Sequence, residues 1–285
     1  MTLAQWRQWM REQLADSESV ALDVDVLLCH VLDKPRSFLL SWPEYLPTEA
    51  DQARLTALTA RRRTGEPVAH LTGEREFWSL MLAVSPDTLI PRPDTELMIE
   101  AALARLPLSA ATLADLGTGT GAIALSMKSE RPQDTVIAVE FNANAAALAR
   151  HNSERLQLDI DIRQGSWFEP LAGQCFNMIL SNPPYIDAAD PHLHSGDVRF
   201  EPASALVADA GGMADLQHII TQAPSHLLAN GWLLLEHGWQ QGALVRDYFT
   251  GQGYQQVSTL RDYGGQERIT LAQWPGRHNA ENKHQ

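Results

Sequence analysis

The stretch TLADLGTGTG, residues 112–121, decides the fold because an apolar strand pattern runs directly into a loop with glycine at every second position. A helical pattern follows, so the stretch predicts a strand, a tight loop and a helix. Strand and helix patterns then alternate toward the C-terminus, which predicts an α/β fold with a parallel sheet and helices on both faces. The predicted strands are residues 112–116, 135–140, 159–163, 176–180, 231–236, 255–260 and 267–272, and the predicted helices are 122–130, 143–155, 213–229 and 239–250.

Upstream of this stretch the chain has a helical character. Thr2 with Gln5, and Thr48 with Asp51, form capping pairs at the starts of helices, and apolar residues recur at helical spacing after each pair. The sequence therefore predicts a small helical bundle before the α/β region. The expected parts are a helical domain (1–70), a linker with a strand or hairpin (71–93), the α/β domain (94–275) and a polar tail (276–285).

Composition and charge exclude several classes of protein. The chain of 285 residues has a formal net charge of −13, which repels phosphate backbones, so direct DNA binding is not expected. No run approaches the roughly 18 to 20 apolar residues of a membrane span, and the N-terminus lacks a signal-peptide pattern. We therefore expect a cytoplasmic protein without membrane contact. Cys29 and Cys175 lie in apolar runs and are expected to be buried structural thiols, and the basic residues 61–63 are expected to complement a helix dipole.

The glycine loop is expected to bind a cofactor. Gly117, Gly119 and Gly121 allow the backbone to pass close to a ligand, and Glu140 at the end of the next strand is placed to hold a ribose diol. Glycine spacing alone does not distinguish NAD from S-adenosylmethionine. Asp115 before the loop favours the methyltransferase pattern, in which it serves the ammonium of the methionyl group or orders the loop.

The second motif is SNPPY, residues 181–185, which follows the apolar run 176–180. Two prolines end the strand abruptly and make a rigid polar loop. The side-chain oxygen of Asn182 and the carbonyl of Pro183 are two adjacent acceptors, which suit a planar –NH2 group. The ring of Tyr185 could lie against the plane of such a group. A simple proline turn is the alternative interpretation.

Five motifs in one order then indicate a family. They are LIPRPDTE (89–96), DLGTGTG (115–121), SNPPYI (181–186), VRFEP (198–202) and LLEHG (234–238). With the helical N-terminal domain, they make the chain similar to the HemK/PrmC family of class I S-adenosylmethionine-dependent methyltransferases. The resemblance implies a seven-stranded sheet with its last strand antiparallel. It also implies methylation of the glutamine side-chain nitrogen (N5) in the Gly-Gly-Gln motif of class I peptide chain release factors. The helical domain is expected to supply substrate recognition, because it is too small to hold the cofactor.

The resemblance also assigns roles to residues. Those expected to bind the cofactor are Gly117, Thr118, Gly119, Thr120, Gly121, Glu140, Trp167 beside the adenine, and Asn182. Those expected to receive the glutamine are Asn182, Pro183, Pro184 and Tyr185, of which Asn182, Pro183 and Tyr185 are the catalytic set. Two positions depart from the family, because Glu140 and Ser166 stand where aspartate is usual. These departures bear on cofactor affinity and not on the chemistry.

No metal and no general base are expected, because the amide proton can leave after methyl transfer. Three other functions use part of the pattern: an adenine-N6 DNA methyltransferase, a nicotinamide oxidoreductase and a non-catalytic nucleotide-binding module. The net charge opposes the first, and the SNPPY loop is unexplained by the other two. We expect a monomer that acts on release factors.

Two further segments have open interpretations. The connection 186–212 is long enough to form a substrate channel, in which Arg199 and Glu201 either contact substrate or form an internal ion pair. The tripeptide at Gly264, Gly265 and Gln266 matches the expected target motif. A glycine turn is the favoured interpretation there, and self-methylation is the alternative.

Overall fold

The computed structural model describes residues 1–276, and the predicted polar tail lies almost entirely outside these residues. The helices are α1 (Leu3–Gln13), α2 (Val20–Leu32), α3 (Arg36–Ser41), α4 (Glu49–Arg63), α5 (Val68–Thr72), α6 (Pro93–Leu103), α7 (Ala122–Glu130), α8 (Ala143–Leu156), α9 (Asp209–Gly212), α10 (Ala214–Gln222) and α11 (Gly242–Gly251). The strands are β1 (Glu74–Phe77), β2 (Leu80–Ala83), β3 (Thr112–Leu116), β4 (Thr135–Glu140), β5 (Asp161–Gln164), β6 (Phe176–Ser181), β7 (Leu227–Glu236), β8 (Gln255–Arg261) and β9 (Glu267–Gln273).

Seven strands form one sheet in the order β5-β4-β3-β6-β7-β9-β8. Strands β3 to β7 pair in parallel, whereas β9 is antiparallel to both β7 and β8. The prediction of an α/β class I methyltransferase fold, with a mostly parallel seven-stranded sheet and an antiparallel last strand, is confirmed. The chain runs outward from β3 to β5 and returns to β6 on the other side of β3. Open α/β sheets bind ligands at the carboxyl ends of the strands beside such a reversal.

Alternating side chains of the sheet fill two apolar layers. In β6, Met178 and Leu180 point to the layer with α6 and α7, whereas Ile179 points to the layer with α10 and α11. All three are at most 1% exposed. Because both faces are covered, the central strands are apolar along their whole length, as parallel strands require.

The chain divides into two compact units. One comprises Met1–Glu74 with His192–Phe200, and the other comprises Arg75–Pro191 with the chain from Glu201 onward. In the first unit, α1 and α4 begin with the predicted capping boxes at Thr2 and Thr48. Its core contains apolar side chains from α1, α2 and α4. The basic residues 61–63 stand in the last turn of α4, where they were predicted to complement the helix dipole, and they also bond to Glu66, Asp23 and Gln13 within this unit.

Several sequence predictions are wrong in detail. The helix expected at 213–229 ends at Gln222, because Leu227 already pairs with Phe176 of β6 and begins β7. The short helices α3 and α5 were not expected, since six and five residues are too few for a clear periodic pattern. Cys175 is exposed and Cys29 is half-buried, because an apolar sequence run does not fix how far each member is covered.

Turns join the remaining elements. The predicted hairpin is β1 and β2, turning at Trp78 and Ser79, which both have positive φ. The tripeptide ending at Gln266 lies in the β8–β9 turn, where Gly265 has φ +81°, so the predicted glycine turn is present. Among residues 1–276, no helix combines the length and apolar character needed to cross a bilayer.

Asp115 near the end of β3 holds the glycine loop in place. Its Oδ2 accepts from the hydroxyl of Thr118 at 2.5 Å and from the N–H of Ala124 at 3.2 Å. Its Oδ1 is buried without a partner among the described residues. Burial raises the pKa of Asp115 to about 7, although its two hydrogen bonds favour the charged form. The loop is therefore ordered by a carboxyl group that is costly to ionise.

The pKa of Asp115 makes stability depend on pH. A carboxyl group with a raised folded-state pKa binds its proton more tightly in the folded chain. The resulting stability is fully present below the unfolded pKa near 3.8 and is lost as the pH rises through about 7. From pH 5 to 8 the loss should be about 2 to 3 kcal/mol. Asp115→Asn keeps one oxygen for Thr118 and Ala124 and should remove this dependence. Urea unfolding of the wild type and of Asp115→Asn at pH 5 and pH 8 measures this loss. If the free energy of unfolding fell equally in the two proteins, the pH dependence would not come from Asp115.

Candidate active site

A cavity of about 330 Å³ opens at the carboxyl ends of β3, β4 and β6. Several predicted site residues line this cavity: Gly117, Thr118, Gly119, Thr120, Glu140, Trp167, Asn182 and Pro184. Other predicted residues are not part of its lining: Gly121, Pro183 and Tyr185. The glycine loop and the SNPPY loop therefore meet at one site. They do so because their strands, β3 and β6, are neighbours in the sheet.

The backbone of the glycine loop is fixed by β4. The N–H groups of Gly117 and Thr118 both donate to the carbonyl of Val139, at 2.9 and 3.0 Å. Gly117 has φ +70°, which favours glycine, and a Cβ there would lie 3.5 Å from the Trp167 ring. At Gly119, which has φ +54°, a Cβ would meet nothing within 4 Å. The loop thus presents bare backbone to open space at Gly119, where a ligand can approach closely.

Glu140 joins the end of β4 to the glycine loop. One carboxylate oxygen accepts from the N–H of Gly119 at 2.9 Å, and the other accepts from the N–H of Asn142 at 2.9 Å. Each carboxylate oxygen can accept a second hydrogen bond, so a ribose diol can still donate to Glu140.

Trp167 lies on the other side of the loop. Its backbone is left-handed, with φ +44°, which turns a partly buried indole ring toward the cavity. Ser166 also lines the cavity, and its N–H donates to Glu169 at 3.3 Å. The Trp167 ring therefore lies close to Gly117 of the glycine loop, and the Ser166 residue beside it also faces the cavity.

The SNPPY loop is held by a buried chain of hydrogen bonds. The side-chain nitrogen of Asn182 donates to the hydroxyl of Thr95 at 3.4 Å, and that hydroxyl donates to Glu236 at 2.6 Å. The hydroxyl of Tyr185 donates to the second oxygen of Glu236 at 3.1 Å. Thr95 and Glu236 are 4% and 2% exposed. Three distant segments, at α6, β6 and β7, are thus joined around one carboxylate.

Burial shifts the acid–base behaviour of this chain of bonds. Desolvation raises the pKa of Glu236, while Thr95, Arg268 and Tyr185 act in the opposite direction. Desolvation and the charge of Glu236 raise the pKa of Tyr185 far above its usual value. Tyr185 therefore remains a phenol near neutral pH, with its proton directed at Glu236. Its hydroxyl stabilises the loop through the hydrogen bond to Glu236 and does not act as a base.

Sequence reasoning did not assign roles to Thr95 and Glu236, although both lie in quoted motifs. The signal was the polar residue in each apolar or proline-rich motif: Thr95 in LIPRPDTE and Glu236 in LLEHG. Their contact spans 141 positions, so no local pattern could reveal it.

The long connection after β6 contributes to the site at one end. Ser204, Ala205 and Val207 line the cavity. Glu201 accepts from Arg92 at 2.7 Å and from the N–H of Ile90, so it braces the proline-rich segment that precedes α6. Within the first unit, Arg199 donates to the carbonyl of Thr64 at 2.8 Å. Residues 1–276 contain no group of three His, Cys, Asp or Glu side chains placed to hold a metal ion.

Comparisons with known proteins show which family the chain belongs to. A family model described as the PrmC N-terminal domain matches residues 5–73, and one described as the methyltransferase small domain matches 93–214. A release factor glutamine methyltransferase of Escherichia coli K12 is 55% identical over 95% of this chain and 99% of its own length. One of Pseudomonas aeruginosa is 57% identical over 92% of this chain and 95% of its own.

Solved structures share the fold at low identity. A methyltransferase of Pyrococcus furiosus is 18% identical with a TM-score of 0.53, over 81% of this chain and 100% of that one. The catalytic domain of human Mettl16, in complex with an RNA hairpin, is 15% identical with a TM-score of 0.59, over 89% of this chain and 92% of that one. These two structures support the fold alone, whereas the identity to full-length relatives shows that the chain belongs to the family of release factor glutamine methyltransferases.

Proposed function

We propose that the protein transfers a methyl group from S-adenosylmethionine to the side-chain nitrogen of the glutamine in the Gly-Gly-Gln motif of class I peptide chain release factors. The observation that carries this function is the placement of Asn182 in the wall of the cavity lined by the glycine loop. The names of relatives more than 50% identical over nearly the whole chain support the same activity. A substrate of the translation machinery supports a cytoplasmic location.

The residues present fit S-adenosylmethionine. The open backbone at Gly119 can face its methionyl part, Glu140 retains lone pairs for the ribose hydroxyls, and Trp167 offers a flat apolar surface for the adenine. When bound, this cofactor supplies an electrophilic methyl group on a sulfonium. The roles of these residues are part of the proposal.

The platform acts on a glutamine amide, whose nitrogen is a poor nucleophile because its lone pair is delocalised into the carbonyl. The side-chain oxygen of Asn182 and the carbonyl of Pro183 have no hydrogen-bond donor among residues 1–276. Both can accept hydrogen bonds from the N–H groups of the substrate amide. These bonds orient the nitrogen and stabilise the positive charge that develops on it. Tyr185 supports the loop from behind through Glu236. No base is needed, because the nitrogen becomes acidic once it has been methylated.

The helical residues 1–70 are proposed to recognise the release factor. In support, this segment exposes large apolar side chains at Leu40, Trp42 and Leu46, with 65%, 61% and 66% of their surface accessible. We also predict that the protein is a monomer and that it does not bind DNA directly.

The function is tested by incubating the protein with S-adenosylmethionine labelled in its methyl group. A release factor should become labelled at the Gly-Gly-Gln glutamine, whereas a release factor with alanine at that position and duplex DNA should not. Calorimetric titration should show binding of S-adenosylmethionine and none of NAD. Labelling of DNA, or of the alanine variant at an equal rate, would contradict the proposal.

Replacement of Asn182 by alanine should reduce turnover by roughly ten- to several-hundred-fold, because it removes an acceptor that faces developing charge and loosens the nucleophile. The dissociation constant for S-adenosylmethionine should change much less. Single-turnover rates measure the first effect and calorimetry the second. Asn144→Ala, at an exposed asparagine of α8, is the matched control. A wild-type rate in Asn182→Ala would show that the SNPPY loop is only a proline turn and does not bind the substrate amide.

Replacement of Trp167 by alanine should raise the dissociation constant for S-adenosylmethionine several-fold, because stacking on an adenine contributes on the order of 1 kcal/mol. Trp239→Ala, which removes an exposed indole outside the cavity lining, should leave it unchanged. Calorimetry on the two variants and the wild type measures this difference. An unchanged dissociation constant for S-adenosylmethionine in Trp167→Ala would show that the ring only packs in the core and does not stack on the adenine.

A further inference from the structure

The two ends of an asparagine amide are opposite in character. Its oxygen accepts hydrogen bonds and its –NH2 group donates them, and rotation by half a turn exchanges the two. The proposed reaction needs the oxygen of Asn182 to face the substrate, because a glutamine –NH2 group is a donor. Some feature of the protein must therefore fix which way round this amide stands.

The buried bonds behind Asn182 provide that feature. The hydroxyl of Thr95 has one proton, which it donates to Glu236 at 2.6 Å. Its oxygen can then only accept a hydrogen bond from Asn182, so the –NH2 group of Asn182 must turn toward Thr95, at 3.4 Å. The Asn182 oxygen is then free of Thr95, and it is not sealed from solvent.

Glu236 is suited to fix this direction. Both of its oxygens accept hydrogen bonds from hydroxyl groups, one from Thr95 and the other from Tyr185 at 3.1 Å. The residue is 2% exposed, so water does not compete for these bonds. The guanidinium of Arg268 nearby also favours the carboxylate form, against the burial that raises the pKa of Glu236.

We propose that Thr95 and Glu236 are positioning residues that set the orientation of Asn182, and that through it they make the site select glutamine over glutamate. This inference rests on the proposed function and names the basis of its substrate choice. A glutamine presents –NH2 to the oxygens of Asn182 and Pro183. A glutamate would place carboxylate oxygens against the same two oxygens, with no proton between them. The site therefore excludes glutamate by opposed acceptors and not by size, since the two side chains have nearly the same shape.

The inference predicts a change in selectivity when the hydroxyl of residue 95 is removed. Thr95→Val has nearly the same shape but neither donates to Glu236 nor accepts from Asn182. The amide of Asn182 can then turn over and offer its –NH2 group to a carboxylate. A role of Thr95 that merely fastens α6 to β7 would change stability and rate but not this preference.

The test uses a full-length release factor as substrate and its Gly-Gly-Glu variant as competitive inhibitor. For the wild type we expect the inhibition constant of the variant to exceed the KM of the substrate by roughly 100-fold or more. The reason is that the hydrogen bonds are lost and acceptor oxygens face each other. In Thr95→Val, kcat should fall by about tenfold and the ratio of the two constants should fall by at least about tenfold. Thr95→Ser restores a hydroxyl and should recover both values to within about threefold.

The outcomes separate the inference from the function on which it rests. Methylation by the wild type with an unchanged ratio in Thr95→Val would overturn the inference and leave the function standing. Absence of methylation by the wild type would overturn the function itself and the inference with it. Thermal unfolding and calorimetry with S-adenosylmethionine verify that each variant is folded. If Thr95→Val does not fold, the ratio measured in Thr95→Ala, which cannot overpack the site, decides the question in the same way.

Discussion

The parallel pairing of β3 with β6 is the constraint on which the site depends. The register places Leu116 opposite Ser181, and the buried hydroxyl of Ser181 donates to the Leu116 carbonyl at 2.7 Å. Each strand then ends in its own loop, so the glycine loop and the SNPPY loop begin side by side. A slip of one residue would move Asn182 away and exchange the faces of every side chain in β6. The position of the glycine loop relative to the SNPPY loop is therefore set by a strand register.

Two buried carboxyl groups use this framework in different ways. Asp115 lies under the glycine loop and Glu236 lies behind the SNPPY loop, and desolvation raises the pKa of both. Such groups destabilise a fold unless hydrogen bonds compensate. Asp115 receives its bonds from within its own loop and helix, whereas Glu236 receives them from α6 and the SNPPY loop. The first carboxyl group orders a local turn, and the second fixes elements that are remote in the chain.

This difference explains how much the sequence could predict. The strand, loop and helix at residues 112–130 were predicted with correct bounds, because local periodicity and glycine spacing determine them. Asn182 was recognised from its place between a strand and two prolines, and it does line the cavity. The bonds of Thr95 to Glu236 and of Glu201 to Arg92 join residues more than a hundred positions apart. No local pattern encodes such pairs, so they required the structure. The boundary between α10 and β7 was missed for the same reason, because pairing with β6 and not local propensity begins that strand.

The same contacts explain how a rigid SNPPY loop would serve the proposed reaction without a base. Around Asn182 the structure supplies neutral or acceptor groups: an amide, a proline carbonyl, the hydroxyl of Thr95, and a phenol whose pKa is raised. None of these removes a proton from an amide near neutral pH. In the proposed reaction, these groups hold the two N–H bonds of the substrate amide in one plane, which fixes the direction of the nitrogen lone pair. In the proposed reaction, orientation of the substrate amide is the chief contribution of the protein, and it requires that Asn182 itself does not turn. A buried carboxylate that receives two hydroxyl protons meets that requirement better than a surface contact would, since solvent cannot replace either bond.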